Sequence, residues 1–367
     1  AMADHFLTGD ESRLYWKGGD VCDRLGVDYH PGRVATGVDA VSRTVSFDAG
    51  EPLEYDRLVI ATGSRLYAPI EAASMPGVYN FKSLSAATEL VDHARRGEVQ
   101  KAAIVGAGFI GVEVALVLAD LGLEVTLIEQ AERGMPQMMD EETADIVRNA
   151  LVGRGVRVLH ETEASAFAGN GRARAVVLDS GDVITADACI AATGVKPNTE
   201  FLADSGFDVG WGLRVDDRLH TGIPDVWGAG DCAETRDRMS GERYVHAIFP
   251  NAIKQGRVVA EQLMGFDTLY EGAETMNSLR HLGVSVMAAG ELSGDTEAVL
   301  STPDSLRRIA LRDGRIVGFR LAGDIRGAGV YRSLMLRRID VGAYGEGLAD
   351  PAFIGRRLAD PFTQLAA

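Results

Sequence analysis

Cysteine is nearly absent from this chain: Cys22, Cys189 and Cys232 are the full set, with no CxxC spacing among them. That excludes a disulfide framework and a structural zinc site. Basic charge is short as well. Thirty-seven lysines and arginines face fifty-three acids, a net charge of −16. Such a balance argues against nucleic acid or an anionic membrane as the main partner. Long apolar runs are also missing, because the stretch from Ala102 to Val112, in the most hydrophobic region, is too short to span a bilayer. No charged-then-apolar leader opens the chain, so the expected location is the cytoplasm. What is present is an ordinary globular balance, 46% apolar and 25% charged. Its 367 residues call for two or three domains.

From Arg33 the chain alternates in short strands, "RVATGVDAV" and "RTVSFDAG", and a β-meander is expected to feed one buried strand in "YDRLVIATGS". Residues 84 to 96 read as a helix. Asp140 can cap another to about Leu151, with acids in its first turn where the dipole favours them. Pro250 suits the first turn of a further helix. After Met276, "RRIALRDGRIVGFRLAGD" is a hairpin pattern turning at Asp313-Gly314, with helices expected near 328–338 and 351–359.

The most informative stretch is "AAIVGAGFIGVEVALVLADLGLEVTLIEQ", residues 102–130. Gly106, Gly108 and Gly111 fall as GxGxxG between an apolar strand and an apolar-faced helix, and a second strand follows in register. A bare GxGxxG is weak evidence, but in this context it reads as a dinucleotide site. The first glycine permits a tight turn, the second lets backbone approach a pyrophosphate, and the third lets helix and strand pack closely. The helix N-terminus, at Phe109 and Ile110, offers unpaired N–H groups and the positive dipole end. Glu129 ends the second strand 18 residues after Gly111, close to the ~20 expected for a carboxylate that grips a ribose 2′-hydroxyl. A carboxylate there repels a 2′-phosphate, so NAD(H) is the expected coenzyme.

Two stretches echo each other. "LVIATGSR" (58–65) and "ACIAATGVKPN" (188–198) both run a buried strand into Ala-Thr-Gly, and "VWGAGDCAE" (226–234) holds Asp231 after Gly230 at a strand end. Alone, Asp231 reads as the N-cap of a strand-to-helix turn. In this order around a GxGxxG, the motifs resemble the pyridine nucleotide-disulfide oxidoreductase superfamily of FAD- and NAD(P)H-binding flavoproteins. Rubredoxin and ferredoxin reductases, nitrite reductase flavin subunits and NADH oxidases belong to it. The resemblance covers nearly the whole chain. It implies an α/β fold of two dinucleotide-binding, Rossmann-like domains plus a small C-terminal α+β domain. It implies FAD contacts from Ala61, Thr62, Gly63, Arg65, Gly230, Asp231, Pro250 and Asn251, with Lys82 a further cation on that side. To NAD(H) it assigns Gly194 beside the GxGxxG residues and Glu129, and to the nicotinamide it assigns Glu113, in the first turn of the NAD helix. The implied boundaries are 1–100 with 214–272 for FAD, 101–213 for NAD and 273–367 for the C-terminal domain.

One family feature has no counterpart. The glycines before Ala61, at 9, 18, 19, 26, 32, 37 and 50, never follow a buried strand as GxGxxG. The expectation is that a βαβ unit of about 30 residues or more, which would grip FAD, is missing upstream, through a misplaced start at Met2, a trimmed N-terminus or a second polypeptide that supplies the piece. Nor does a cysteine pair stand where disulfide-reducing members carry one. The expected activity is therefore hydride transfer from NADH to FAD, then electron transfer to an external acceptor such as a rubredoxin, a ferredoxin or a nitrite reductase partner. The alternatives are an NADH oxidase or disulfide reductase of the same superfamily, and a non-catalytic NADH sensor. Residues 301–367 contain eleven arginines, no lysine and seven acids. Internal pairing or a homodimer interface is the first account of that surplus, and the other is a docking face for a small acidic iron protein around Arg337 and Arg338.

Overall fold

The computed structural model describes residues 14–15, 17–82, 84–279, 283 and 285–351. The chain divides into two compact units, residues up to 67 with 195–274, and residues 68–194 with 275 onward.

In the first unit the alternating stretches form the meander Ala35–Asp39, Thr44–Phe47 and Leu53–Glu54, paired antiparallel in chain order. Leu58–Ile60 then lies parallel to Val226–Gly228, with Ile60 opposite Gly228. Because both strands run the same way in register, Ala61–Gly63 and Ala229–Asp231 emerge side by side. The pattern predicts a buried strand at 58–60, and the structure gives a half-buried one: Ile60 is covered, while Val59 is 39% exposed. Pairing explains the difference, since among the described residues this strand has a ladder partner on one edge alone. The helix Phe249–Leu263 carries Pro250 in its first turn. It buries Asn251, Gln255, Val258 and Val259 at helical spacing. Val258 and Val259 join Ile60, Leu213, Leu219, Val226, Trp227 and Tyr270 in this unit's core.

The second unit is built on a five-stranded parallel sheet. Its order is Val78–Tyr79, Ala188–Ala191, Lys101–Val105, Glu124–Ile128, Arg157–Leu159. Four of five residues in each of the two central strands are buried, as a sheet covered on both faces requires. The helix Phe109–Asp120 connects those two strands and is buried from Val114 to Leu118. Asp140 caps the helix Glu141–Gly153 by accepting from Thr143 N at 2.9 Å. The C-terminal part adds an antiparallel sheet ordered Met276–Leu279, Val286–Gly290, Arg315–Ala322, Ser305–Arg312, Thr296–Thr302. Asp313 and Gly314 join its central hairpin with φ of 49° and 71°, the paired positive values of a type I′ turn. The helix Ala328–Leu336 follows. Residues 352–359 of the last expected helix, with Arg356 and Arg357, lie outside the described residues. No helix among the described residues is long and apolar enough to cross a membrane.

Candidate functional site

The glycines of the second unit's turn differ in what they do. Gly106 has φ 102°, and a Cβ there would sit 2.5 Å from Ala192 O. A Cβ on Gly111 would sit 1.9 Å from Gly106 O. Both positions are closed by backbone, so packing alone forbids a side chain. Gly108 is the reverse, with nothing within 4 Å of an added Cβ. It stands as N-cap of Phe109–Asp120 without a side-chain cap, which leaves the first-turn N–H groups for an anion approaching from the open side. The second Ala-Thr-Gly explains itself here, because Ala192 is the wall against which Gly106 turns. Gly194, at φ 128°, lies in open space two residues further on.

Glu129 is fixed where its motif predicts and is held by main chain. Its Oε2 accepts from Ala107 N at 2.7 Å and its Oε1 from Ala131 N at 2.9 Å. Each oxygen keeps a second lone pair, so the pair can still accept from a vicinal diol while staying locked beside the turn. Phe109 is half-buried and Ile110 is 46% exposed. Glu113 falls on the fifth residue of the helix, just past the first turn and half-buried. Lys82, also in this unit, is half-buried, its N–H bonded to Asn80 Oδ1 at 3.0 Å.

In the first unit, the paired strand ends open on a cavity of about 440 Å³. Ala61, Gly63, Gly230, Asp231 and the helix residues Ala252, Gly256 and Ala260 are among its walls. The last three recur at i, i+4 and i+8, a small-residue face that keeps the space open. Ser64 Oγ donates to Asp231 Oδ2 at 2.9 Å, and Gly230 N, at φ 80°, donates to Gln255 Oε1 at 2.6 Å. Ser64, Gln255 and Asn198 were not legible as site residues.

Other expected residues are committed to neighbours. Thr62 Oγ1 donates to Asn198 O at 2.7 Å, and Asn198 Nδ2 returns a bond to Thr62 O at 2.9 Å. Arg65 pairs with Glu200, whose carboxyl is held at about 2 chiefly by that hydrogen bond. Asn251 clasps Glu274 main chain on both sides, Nδ2 to O at 3.0 Å and Oδ1 from N at 3.1 Å. The cysteines are free. Burial pushes the Cys189 thiol up to about 11, and it raises Cys232 as well. Neither carries the thiolate a redox pair needs.

Comparison with known proteins places these features in context. The family described as pyridine nucleotide-disulphide oxidoreductase matches residues 10–256. The assimilatory nitrate reductase electron transfer subunit of Bacillus subtilis (strain 168) is 27% identical over 343 residues, 92% of this chain and 44% of that protein. Rhodocoxin reductase of Rhodococcus erythropolis is 31% identical over 276 residues, 75% of this chain and 64% of that protein. A solved FAD-dependent pyridine nucleotide-disulphide oxidoreductase from Desulfovibrio vulgaris superposes with a TM-score of 0.77 at 28% identity, covering 90% of this chain and 89% of that one. The chain spans about half the length of the curated relatives it matches.

Proposed function

We propose, from the premise that the chain belongs to the pyridine nucleotide-disulphide oxidoreductase family, that it takes part in flavin-dependent oxidation of NADH and passes the electrons to an external acceptor. The observation that carries the reading is the glycine turn at Gly106–Gly111 with Glu129 locked to Ala107 N. In this reading Gly106, Gly108 and Gly111, with the N–H groups of Phe109 and Ile110, hold the pyrophosphate. Glu129 accepts from the ribose diol, Gly194 flanks the dinucleotide, and Glu113 lies toward the nicotinamide.

The cavity beside Asp231 fits part of a flavin nucleotide. A carboxylate already oriented by Ser64 suits a ribityl chain, and Ala61, Gly63 and Gly230 line the cavity close by, with Thr62 between the first two. Pro250 opens a helix whose N-terminal dipole favours negative charge. Arg65 and Asn251 stand as supports of this wall, through Glu200 and Glu274. Bound flavin would supply the chemistry, accepting hydride from NADH and releasing electrons one or two at a time. The chain's own task is to orient two cofactors and keep thiols out of the path.

Likeness to rhodocoxin reductase supports a small redox protein as acceptor. Arg337 and Arg338, both exposed just beyond the helix Ala328–Leu336, are the proposed docking cations. Much of the C-terminal arginine surplus is engaged within its own unit: Arg312 pairs with Glu291, Arg326 with Asp324, and Arg308 with Asp140.

Two measurements test the reading. Asp231→Ala removes a charge-assisted acceptor and is expected to lower flavin content about tenfold or more at unchanged NADH affinity. Flavin content equal to wild type would remove Asp231 from the site. Glu129→Ala is expected to narrow the preference for NADH over NADPH about tenfold, by deleting the ribose acceptor and its repulsion of a 2′-phosphate. A kcat/KM ratio unmoved by the substitution would refute the assignment.

A further inference from the structure

Two arginines in the C-terminal sheet are completely buried, Arg307 and Arg320, at 0% and 1% exposure. Burying a guanidinium is costly unless every donor has a partner, so each one marks something worth holding. Arg307 holds only its own sheet's surroundings. It donates to Ala349 O at 2.7 Å, Asp324 O at 2.7 Å, Arg326 O at 2.8 Å and Tyr331 Oη at 3.0 Å. Arg320 reaches out of its sheet. Its Nε donates to Met138 O at 3.0 Å, while its other nitrogens are taken by Glu291 O and Gly290 O.

Met138 belongs to the loop that runs from Glu129 to Asp140, and that loop lies on the glycine turn. Met135 N donates to Ala107 O at 3.2 Å. Ala107 N is the donor that fixes Glu129. Both faces of the Ala107 residue are thus set by this loop. Holding it there requires Met135 at φ 51°, a left-handed conformation that a residue with a side chain adopts only when its surroundings impose it. Met138 N and Met139 N close a turn onto Met135 O, each at 2.9 Å. Arg320 grips the far side of that turn. Its cross-strand neighbour Arg308 grips the loop's end through Asp140 at 3.2 Å and Glu142 at 3.1 Å. Asn277 adds a contact to Met138 Sδ at 3.0 Å.

We propose that Arg320 is a positioning residue for the dinucleotide: by clamping Met138 it keeps Met135 left-handed against Ala107, and so keeps Glu129 aimed at the ribose. Coenzyme affinity and discrimination then depend on the C-terminal sheet, although that sheet supplies no residue to the glycine turn itself. The proposal rests on the NADH reading above and deepens it.

The test is fluorescence titration of the full chain with NADH and with NADPH, for wild type, Arg320→Met, Arg320→Lys and Arg307→Met. Arg307→Met is the matched control, since it also empties a buried guanidinium site ringed by carbonyls but leaves the loop alone. Arg320→Met is expected to raise the NADH Kd about fivefold to tenfold and to narrow discrimination against NADPH. In steady-state turnover that loss should fall on KM with kcat unchanged. Arg320→Lys should recover most of the affinity, and Arg307→Met should bind within about twofold of wild type while melting lower. Equal weakening by both methionine variants, or wild-type discrimination in folded Arg320→Met, overturns the clamp. If Arg320→Met does not fold, Arg308→Gln decides, because its side chain is partly exposed: weaker NADH binding with narrowed discrimination supports the clamp, and wild-type values overturn it. Failure of wild type to bind NADH would instead refute the functional reading beneath the proposal.

Discussion

Alanine at Gly111 is expected to unfold or severely loosen the second unit's nucleotide turn, and alanine at Gly108 is expected to leave the fold intact while destroying its use. At position 111 the new methyl would meet Gly106 O at 1.9 Å and Ala192 Cβ at 3.4 Å. The first contact is with backbone in the middle of a packed βα junction, so nothing flexible can yield. Overpacking of this kind costs about 1–3 kcal/mol when side chains can shift and more when they cannot. At position 108 the methyl meets nothing within 4 Å. Its φ of −73° is ordinary for alanine, and the methyl fills only the open space that the proposed reading gives to a phosphate. Thermal melting and NADH titration of the two variants should separate. Gly111→Ala should lose several degrees or fail to fold, and Gly108→Ala should melt near wild type with NADH affinity down about tenfold or more. A Gly108→Ala protein that binds NADH normally would show that the dinucleotide does not lie over this turn.

That contrast marks what a sequence can reveal. The GxGxxG spacing was legible because three tight steric demands leave the same residue type at fixed intervals. The division of those glycines into a tight turn, an open approach and a close packing was legible with it, and the backbone trace adds which atoms are involved: the Ala192 and Gly106 carbonyls close the first and third, and nothing lies within 4 Å of a Cβ added at the second. Asp231 was picked out by the resemblance, since the strand and two glycines before it serve an N-cap as well. Ser64 and Gln255 were not, because their contacts join residues far apart in the chain. The arginine count suggested a charged docking face. In the structure Arg307 and Arg320 are the largest fully buried side chains among the described residues, and Arg308, Arg312 and Arg326 are paired within their own unit. Composition counts charges without their surroundings, and burial of two of these arginines and ion pairing of three others commit them within their own unit. The half-exposed strand at 58–60 has the same lesson in reverse. Apolar residues predict what could be covered, and pairing decides what is.

Removing Asp237 is expected to give the largest stability loss in the first unit and a change in its response to acid. Asp237 is 3% exposed, and its carboxylate collects His246 Nε2 at 3.0 Å, Met239 N and Ser240 N at 2.8 Å, and Ser240 Oγ at 3.2 Å. The Tyr244 ring stacks on His246 at 3.7 Å. Burial pushes the carboxyl up, but the bonds from His246, Ser240 and Met239 outweigh it and hold it at about 2. An acid whose folded value lies below its unfolded value of about 3.9 adds stability that is complete above that value, roughly 2–3 kcal/mol, and loses it as pH falls toward the folded value. Asp237→Ala leaves a buried imidazole and two main-chain donors without their acceptor, at a cost of about 3–5 kcal/mol. Asp237→Asn keeps an acceptor but no charge, so its stability should change less than that of wild type between pH 5 and about 2. Chemical denaturation across that range measures both. Parallel acid limbs for wild type and Asp237→Asn would refute the assignment. The consequence reaches the cavity, because Asp237 follows the strand Ala233–Arg236 that leads from Asp231, and His246 precedes the helix Phe249–Leu263 that forms the opposite wall. The Asp237–His246 bond ties those two walls together. Flavin retained by Asp237→Ala should therefore fall in parallel with its stability, while NADH binding in the other unit is untouched.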